Sequence, residues 1–444
     1  MKTAKKTLFL VCLIVLSLVV QGLAFAGGGG QQGTAAIDTS KPVELVYWHH
    51  EVQNVDNYRE LAKIATEIFA KLGYPNITMR SEQIEYQGYL AKYQAAFASG
   101  TGPDMFMAMA NDWALEGGAN PVALPLPADV QKVWQDALPA VYRNDGMFNG
   151  KYYGPLAHGA TFMFLYVNTD HLKEAGLSED YYPKTLDEFR DLAKKLTKYD
   201  ASGKVIRAGW QPRFAGGSFN VAAKYMPFIH NFGGQVLSSD LKRAQGYVNG
   251  PDTVKAFQYL RDLVIVDKVT NVELGLPDVA FQQGLCSMTI REPFYAEQSL
   301  QNNPNLKFKI YPFPAGSKDL ITLGGGSWHM MINSKSKYAD LLVKMYKELA
   351  NPEYDIRAHQ INKTVPILAA NLTINNPYFG KLPFAQAVIG SMNKTVGPLY
   401  YTIPEWNSLS EIIGDAVAQI IEGKDVKATL DDAAAKMQQI LDER

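Results

Sequence analysis

An open α/β architecture, with mainly parallel sheets faced by helices on both sides, is the fold class this sequence predicts. From residue 42 onward, apolar runs of strand length alternate with stretches whose apolar residues recur at helical spacing, as such sheets require. Hydrophobic content of 47% and charged content of 20% are ordinary for a globular chain. A chain of 444 residues has room for two domains of roughly 100–200 residues each, with substantial cores.

At the amino terminus, Lys2, Lys5 and Lys6 precede an apolar run from Leu8 to Val20, and Ala24-Phe25-Ala26 supplies the small residues of a cleavage site. Residues 1–26 are therefore expected to be a signal peptide, its apolar run being too short to span a bilayer comfortably. The only cysteine nearby is Cys12, inside that run, so no lipid-anchoring cysteine follows the cleavage point. The expectation is a freely diffusing periplasmic protein with no membrane insertion after cleavage. Residues 27–41, rich in Gly, Gln and Thr, make a flexible linker.

Without residues 1–26, 40 Lys and Arg face 44 Asp and Glu, a net charge near −4. Such a balance offers no basic footprint for nucleic acid or anionic lipid. Cys286 is the only cysteine beyond the signal, which excludes an internal disulfide. It lies in the apolar segment GLCSMTI, where a small buried hydrophobe fits better than a catalytic thiol.

Pro42–Trp48 (PVELVYW) reads as the first strand, bounded by polar residues from His49 to Asp56. In Asn57–Leu72, Tyr58, Leu61, Ile64, Ala65, Ile68 and Leu72 share one helical stripe, and Gly73 ends it. Asn76–Met79 reads as the second strand and Tyr86–Phe97 as the second helix. After a turn at Gly100–Asp104, Met105–Ala110 forms a buried strand, followed by Asn111-Asp112-Trp113. In sheets of this kind ligands lie beyond the carboxyl ends of the strands, where loops and helix amino termini share a crevice. That geometry selects Trp48 and His49, and Asp112 and Trp113, as candidate ligand contacts.

The stretch Asn149–Leu196, NGKYYGPLAHGATFMFLYVNTDHLKEAGLSEDYYPKTLDEFRDLAKKL, reads as a turn, an apolar strand, a short helix ending at Gly176, a Pro-bearing loop and a Thr-capped amphipathic helix. It resembles the family 1 extracellular solute-binding proteins, the maltose-binding-protein-like receptors of sugar ABC importers. The resemblance continues through Phe228–Gly234, Val248–Leu263 and Val279–Phe294. Leu323–Asn351 is similar to the family's return crossing, Val396–Tyr401 to its third, and the two terminal helices to its closing pair. It implies the periplasmic-binding-protein fold: two α/β lobes, a multi-strand hinge and a ligand cleft between them. Residues 42–154 plus 327–395 would form lobe 1, and 155–326 plus 396–444 lobe 2.

The same resemblance implies a receptor rather than an enzyme, one that traps a mono- or oligosaccharide and delivers it to the permease subunits of an ABC transporter. It implies a monomer with no cofactor and no metal. Most relatives carry Gly, Pro and Trp after the apolar segment where this chain has Glu292, Pro293 and Phe294. Phe294 thus takes the place of the stacking residue. Glu292 either accepts from a sugar hydroxyl or is a solvated loop charge. Trp48, Trp113, Phe294, Trp328 and Trp406 are expected to stack on sugar rings, whose C–H faces suit flat aromatic surfaces. His49, Asp112 and Glu292 are expected to bond hydroxyls, Gly326 to allow close backbone approach, and Trp210 and Arg213 to contribute from a second-lobe loop.

Two other readings stay open. An enzyme could use His49-His50-Glu51, but adjacent strand residues face opposite ways and neither H-E-x-x-H nor G-x-S-x-G occurs; paired carboxylates for glycoside hydrolysis need no sequence proximity. Alternatively the solute is a polyamine, which needs several carboxylates in the crevice, a peptide, or an organophosphate, for which Arg213 and Arg291 are the basic candidates.

Overall fold

Val43–His49 forms strand β1, with Leu45 and Tyr47 buried on one face. The structure is a computed structural model that describes residues 41–443, apart from residues 53, 87, 110–111, 113–121, 149, 158–161, 216–217, 324–327 and 402. The expected signal at 1–26 and almost all of the linker at 27–41 lie outside the described residues.

Helix α1 (Val55–Lys71) buries Tyr58, Leu61, Ile64, Ala65 and Ile68, the stripe read from its spacing, and packs on β2 (Ile77–Gln83). Helix α2 (Tyr89–Ser99) begins three residues later than its apolar pattern suggested, because Gly88 takes a left-handed φ of +81° and breaks the turn ahead of it. Strand β3 (Met105–Met109) is wholly buried.

The chain then makes a two-stranded hairpin, β4 (Met147–Phe148) and β5 (Lys151–Tyr152), before β6 (Phe164–Asn168). Asn168 caps the short helix α3 (Thr169–Glu174), and Gly176 at φ +73° lies two residues past its end. Thr185 Oγ1 accepts from Glu188 N at 3.2 Å and starts α4 (Leu186–Leu196). Strands β7 (Lys198–Tyr199) and β8 (Val205–Trp210) flank a turn in which Asp200 Oδ1 accepts from Ser202 N at 2.8 Å and Lys204 N at 3.0 Å. Helices α5 (Ser218–Asn231), α6 (Pro251–Ile265) and α7 (Pro277–Gln282) precede β9 (Cys286–Arg291), β10 (Phe308–Pro312), β11 (Leu320–Leu323) and β12 (Trp328–Ile332).

Two sheets result. The first has the order β12-β3-β1-β2, parallel except for β12, whose Trp328 registers with Met109 of β3. The second has the order β10-β6-β9-β8-β7, and β8–β9 is its one parallel pairing among the described residues. The expectation of mainly parallel strands therefore holds for the first sheet and is corrected for the second. A tight turn at 200–204 can join only antiparallel neighbours, and β6 enters its sheet against the direction of β9.

Around the first sheet, α8 (Ala339–Leu349) and α9 (Pro352–Gln360) pack on α1. Helix α10 (Ala385–Ser391) packs on β10 of the second sheet. The last helices, α11 (Trp406–Ile421) and α12 (Val426–Asp442), share the second core with α5 and α6; Asp425 caps α12 by accepting from Ala428 N at 2.8 Å.

The chain passes between the sheets three times, and the passages lie side by side. Met163 N donates to Thr322 O at 3.2 Å, and β11 pairs in parallel with β13 (Thr395–Pro398). Further along the first passage, Met330 N donates to Pro155 O at 2.9 Å and Ala157 N to Trp328 O at 2.8 Å. This multi-strand junction matches the hinge that the resemblance implied.

Candidate functional site

Strand β1 ends at His49, and the next residues, His50 and Glu51, leave the sheet at its carboxyl edge. The same edge receives Trp328 at the start of β12, because an antiparallel strand begins where its parallel neighbours end. Opposite stands the carboxyl end of β9, with Arg291, Glu292 and Phe294. Between them lies a cleft of about 380 Å³, walled by residues from both sheets.

On the first wall, His50 sits edge-on to Trp328 with ring centroids 4.0 Å apart, and Tyr86 and Tyr89 close around it at 5.2 and 5.1 Å. Tyr89 OH donates to Asp112 Oδ2 at 3.0 Å. Glu51 Oε2 accepts from Asn54 Nδ2 at 3.2 Å. Burial pushes the Glu51 carboxyl up to about 7, against the lowering effect of that bond, and the charge of Glu292 adds to the rise.

The second wall is a row of alternating charge. Lys224, from α5, donates to Glu292 Oε1, and Arg291 Nε donates to Glu292 Oε2 at 2.9 Å. Arg291 also reaches Asp278 in the first turn of α7, and Arg213 Nη1 donates to Asp278 Oδ2 at 3.0 Å. The order is thus Lys224, Glu292, Arg291, Asp278, Arg213. Burial alone would raise the Glu292 carboxyl, but Lys224 and Arg291 more than offset it and hold it well below the usual range. Asp278 is likewise lowered against burial by the two arginines, while burial draws Lys224 down to about 8. Phe294 has the Arg291 guanidinium 5.3 Å from its ring centroid, which backs the ring with a cation.

Of the residues selected from sequence, Trp328, Phe294, Glu292 and Arg213 come together at this cleft. Glu292 is not a solvated loop charge: it is 6% exposed and held by two cations. Other expectations need correction. Trp48, 9% exposed, packs on Tyr93 at 5.7 Å under the Lys92 ammonium, in the first core. His49 is fully buried and stacked on Tyr58 at 4.2 Å. Both still belong to the paired part of β1, and the crevice opens one residue later. Asp112 lies behind the wall, bound to Tyr89. Trp210 fills the second core against Phe189 and Phe228, and Trp406, 1% exposed, packs there on Tyr401. Neither indole offers a face to a ligand. Trp113 and Gly326 lie outside the described residues.

The cleft also contains His50, Glu51, Tyr86, Lys224, Asp278 and Tyr400, none of which was selected as a ligand contact. One signal was present: Lys224 is the single charge in the apolar run VAAKYMPFI, and an unpaired charge is not buried there without purpose. Cys286 is buried, donates to Met288 O at 2.9 Å and has its thiol pushed up to about 12 by burial, as suits an inert core residue.

Residues 52–356 match the bacterial extracellular solute-binding protein family. The chain belongs to that family. A putative binding protein of Brucella abortus is 23% identical over 370 residues, covering 83% of this chain and 86% of the relative. An sn-glycerol-3-phosphate-binding periplasmic protein of Shigella dysenteriae is 29% identical over 299 residues, 62% of this chain and 64% of that one. The crystal structure of a cyclic α-maltosyl-1,6-maltose binding protein from Arthrobacter globiformis matches with a TM-score of 0.73 at 18% identity, covering 91% of this chain and all of that chain, which shows the shared fold. By its family membership this chain is a solute-binding protein. Among its described residues, no helix is long and apolar enough to cross a membrane.

Proposed function

We propose that this solute-binding protein captures a mono- or oligosaccharide in the cleft between its two sheets and hands it to a membrane permease driven by a separate ATPase. One observation carries the reading: Trp328 and Phe294, from opposite walls, border the same cleft, and charged and amide groups lie between them. Aromatic faces take the C–H side of a sugar ring, while carboxylates, guanidinium groups and amides take its hydroxyls. The named ligands of two relatives, a cyclic maltose derivative and sn-glycerol 3-phosphate, are polyhydroxylated.

The protein works as a periplasmic monomer released by cleavage after residue 26, and it performs no catalysis. Its lobes are those expected from sequence, 42–154 plus 327–395 and 155–326 plus 396–444, except that α10 joins the second lobe because it packs on β10. The three neighbouring passages act as the hinge, and a solute stabilises the closed form by bonding both walls at once.

A thermal-shift and small-angle scattering screen over a panel of sugars and polyols tests this. A solute at 100 times its dissociation constant is expected to add about 2.7 kcal/mol of stability and to reduce the radius of gyration. Melting and scattering that stay unchanged with every solute would overturn it, and so would new reducing ends from an oligosaccharide.

A further inference from the structure

Resting on the reading of this cleft as a polyol site, we propose that its solute carries one anionic group, a carboxylate or a phosphate, placed beside a hydroxyl and bound at the Arg213–Asp278 end of the charged row.

The row holds three cations, Lys224, Arg291 and Arg213, and two carboxylates, Glu292 and Asp278, all of them lining the cleft. Its pairs are linked end to end, so one positive charge is left over. Among the described residues, Glu51 on the facing wall is the only other carboxylate lining the cleft, and it does not serve as the counter-charge. Its ionic neighbour is His50 at 3.8 Å, not a cation of the row. A carboxylate facing Lys224 or either arginine would be held low, whereas burial and the charge of Glu292 push this one up to about 7. An uncompensated buried charge is costly, because burial strips it of water without supplying a partner. Closure over a neutral sugar leaves that cost in place; closure over a solute bearing one negative charge removes it.

The position follows from two open valences. Arg213 Nε is buried and has no acceptor, and Asp278 Oδ1 is buried and has no donor, among the described residues. An anionic oxygen accepts from Arg213 Nε, and a neighbouring hydroxyl donates to Asp278 Oδ1. A neutral hydroxyl would satisfy both atoms but not the leftover charge. An isolated anion without a hydroxyl, such as sulfate, would leave Asp278 Oδ1 with no donor.

Titration calorimetry on the whole protein tests the inference with paired solutes: D-glucuronate and D-glucose, D-galacturonate and D-galactose, sn-glycerol 3-phosphate and glycerol, with sulfate alone. At least one acid is expected to bind more than tenfold tighter than its neutral partner. The uronate and phosphate pairs tell the two sources of charge apart. Added NaCl is expected to weaken the acid severalfold and leave neutral binding alone. In R213Q the preference for the acid over its neutral partner is expected to fall at least tenfold. The salt series on the unmodified protein gives the same answer should that variant fold poorly. A neutral sugar that binds as tightly as its acid overturns this inference and leaves the polyol reading standing. If no solute of the panel binds, both are overturned. Sulfate binding as tightly as sn-glycerol 3-phosphate removes the hydroxyl from the proposal and overturns it in this form.

Discussion

His50 holds Trp328 edge to face, with ring centroids 4.0 Å apart and planes inclined at 69°. The contact joins the chain just past β1 to the first residue of β12, so the indole enters the cleft in an orientation set by a buried partner. Replacing Trp328 by Ala is expected to weaken solute binding at least tenfold, about 1.4 kcal/mol, and Phe should restore part of the loss. Titration calorimetry with any solute found by the thermal screen measures it. An unchanged dissociation constant would remove Trp328 from the site.

Trp406 should behave in the opposite way. It is enclosed in the second core beside Tyr401 and packs among residues of α5, α11 and α12. Its replacement by Ala leaves a cavity and is expected to cost about 3–5 kcal/mol of stability, read from urea melts. The folded fraction should keep its affinity. A marked loss of affinity without a loss of stability would return this indole to the cleft.

The contrast between these two tryptophans shows what the sequence could and could not convey. Local order was legible: the stripe of α1, the Thr185 and Asp425 caps and the strand at Phe164–Asn168 follow from spacing and from side chains that bond their own neighbourhood. The rule that ligands lie past the carboxyl ends of strands led to the edge of the first sheet that borders the cleft. It stopped at Trp48 and His49, because strand propensity does not reveal that pairing to β2 continues through His49. The charged row was hidden for another reason. Lys224 lies 68 residues from Glu292, and Arg213 lies 65 from Asp278, so their attraction exists only in the folded chain. An aromatic residue in sequence looks the same whether its ring ends in a core or at a cleft.

Glu51 gives the protein a pH dependence of known sign. Its folded pKa, raised from 4.5 to about 7, means that the native state holds this proton more tightly than the unfolded chain does. The stabilisation is complete below about pH 4.5 and is lost as pH rises through 7. Glu51→Gln keeps the amide in the protonated shape at every pH. Relative to the parent it should therefore gain on the order of 1–3 kcal/mol between pH 4.5 and 8, with the change confined to that interval. Urea melts of both proteins at pH 4.5, 6 and 8 measure the difference, and parallel stability curves would rule out burial of the ionised carboxylate as the cause.

Gly154 links the hinge to the stacking residue. A Cβ at this position would lie 1.9 Å from Met330 O, so Ala could be accommodated only if residues 154–157 moved away from β12. That movement would strain the bonds from Met330 N to Pro155 O and from Ala157 N to Trp328 O, together with the 3.0 Å bond from His329 Nδ1 to Gly154 O. Trp328 is the residue at the end of this ladder. Gly154→Ala is thus expected to lower stability by roughly 2–4 kcal/mol and to weaken solute binding as well, since the indole shifts with its strand. Gly150 supplies the control: it lies in the turn of the β4–β5 hairpin, at φ +73°, and nothing stands within 4 Å of its missing Cβ. Ala there meets only backbone strain, about 1–2 kcal/mol, and should leave affinity unchanged. Equal effects of the two substitutions on the dissociation constant would mean that close approach at Gly154 does not position Trp328.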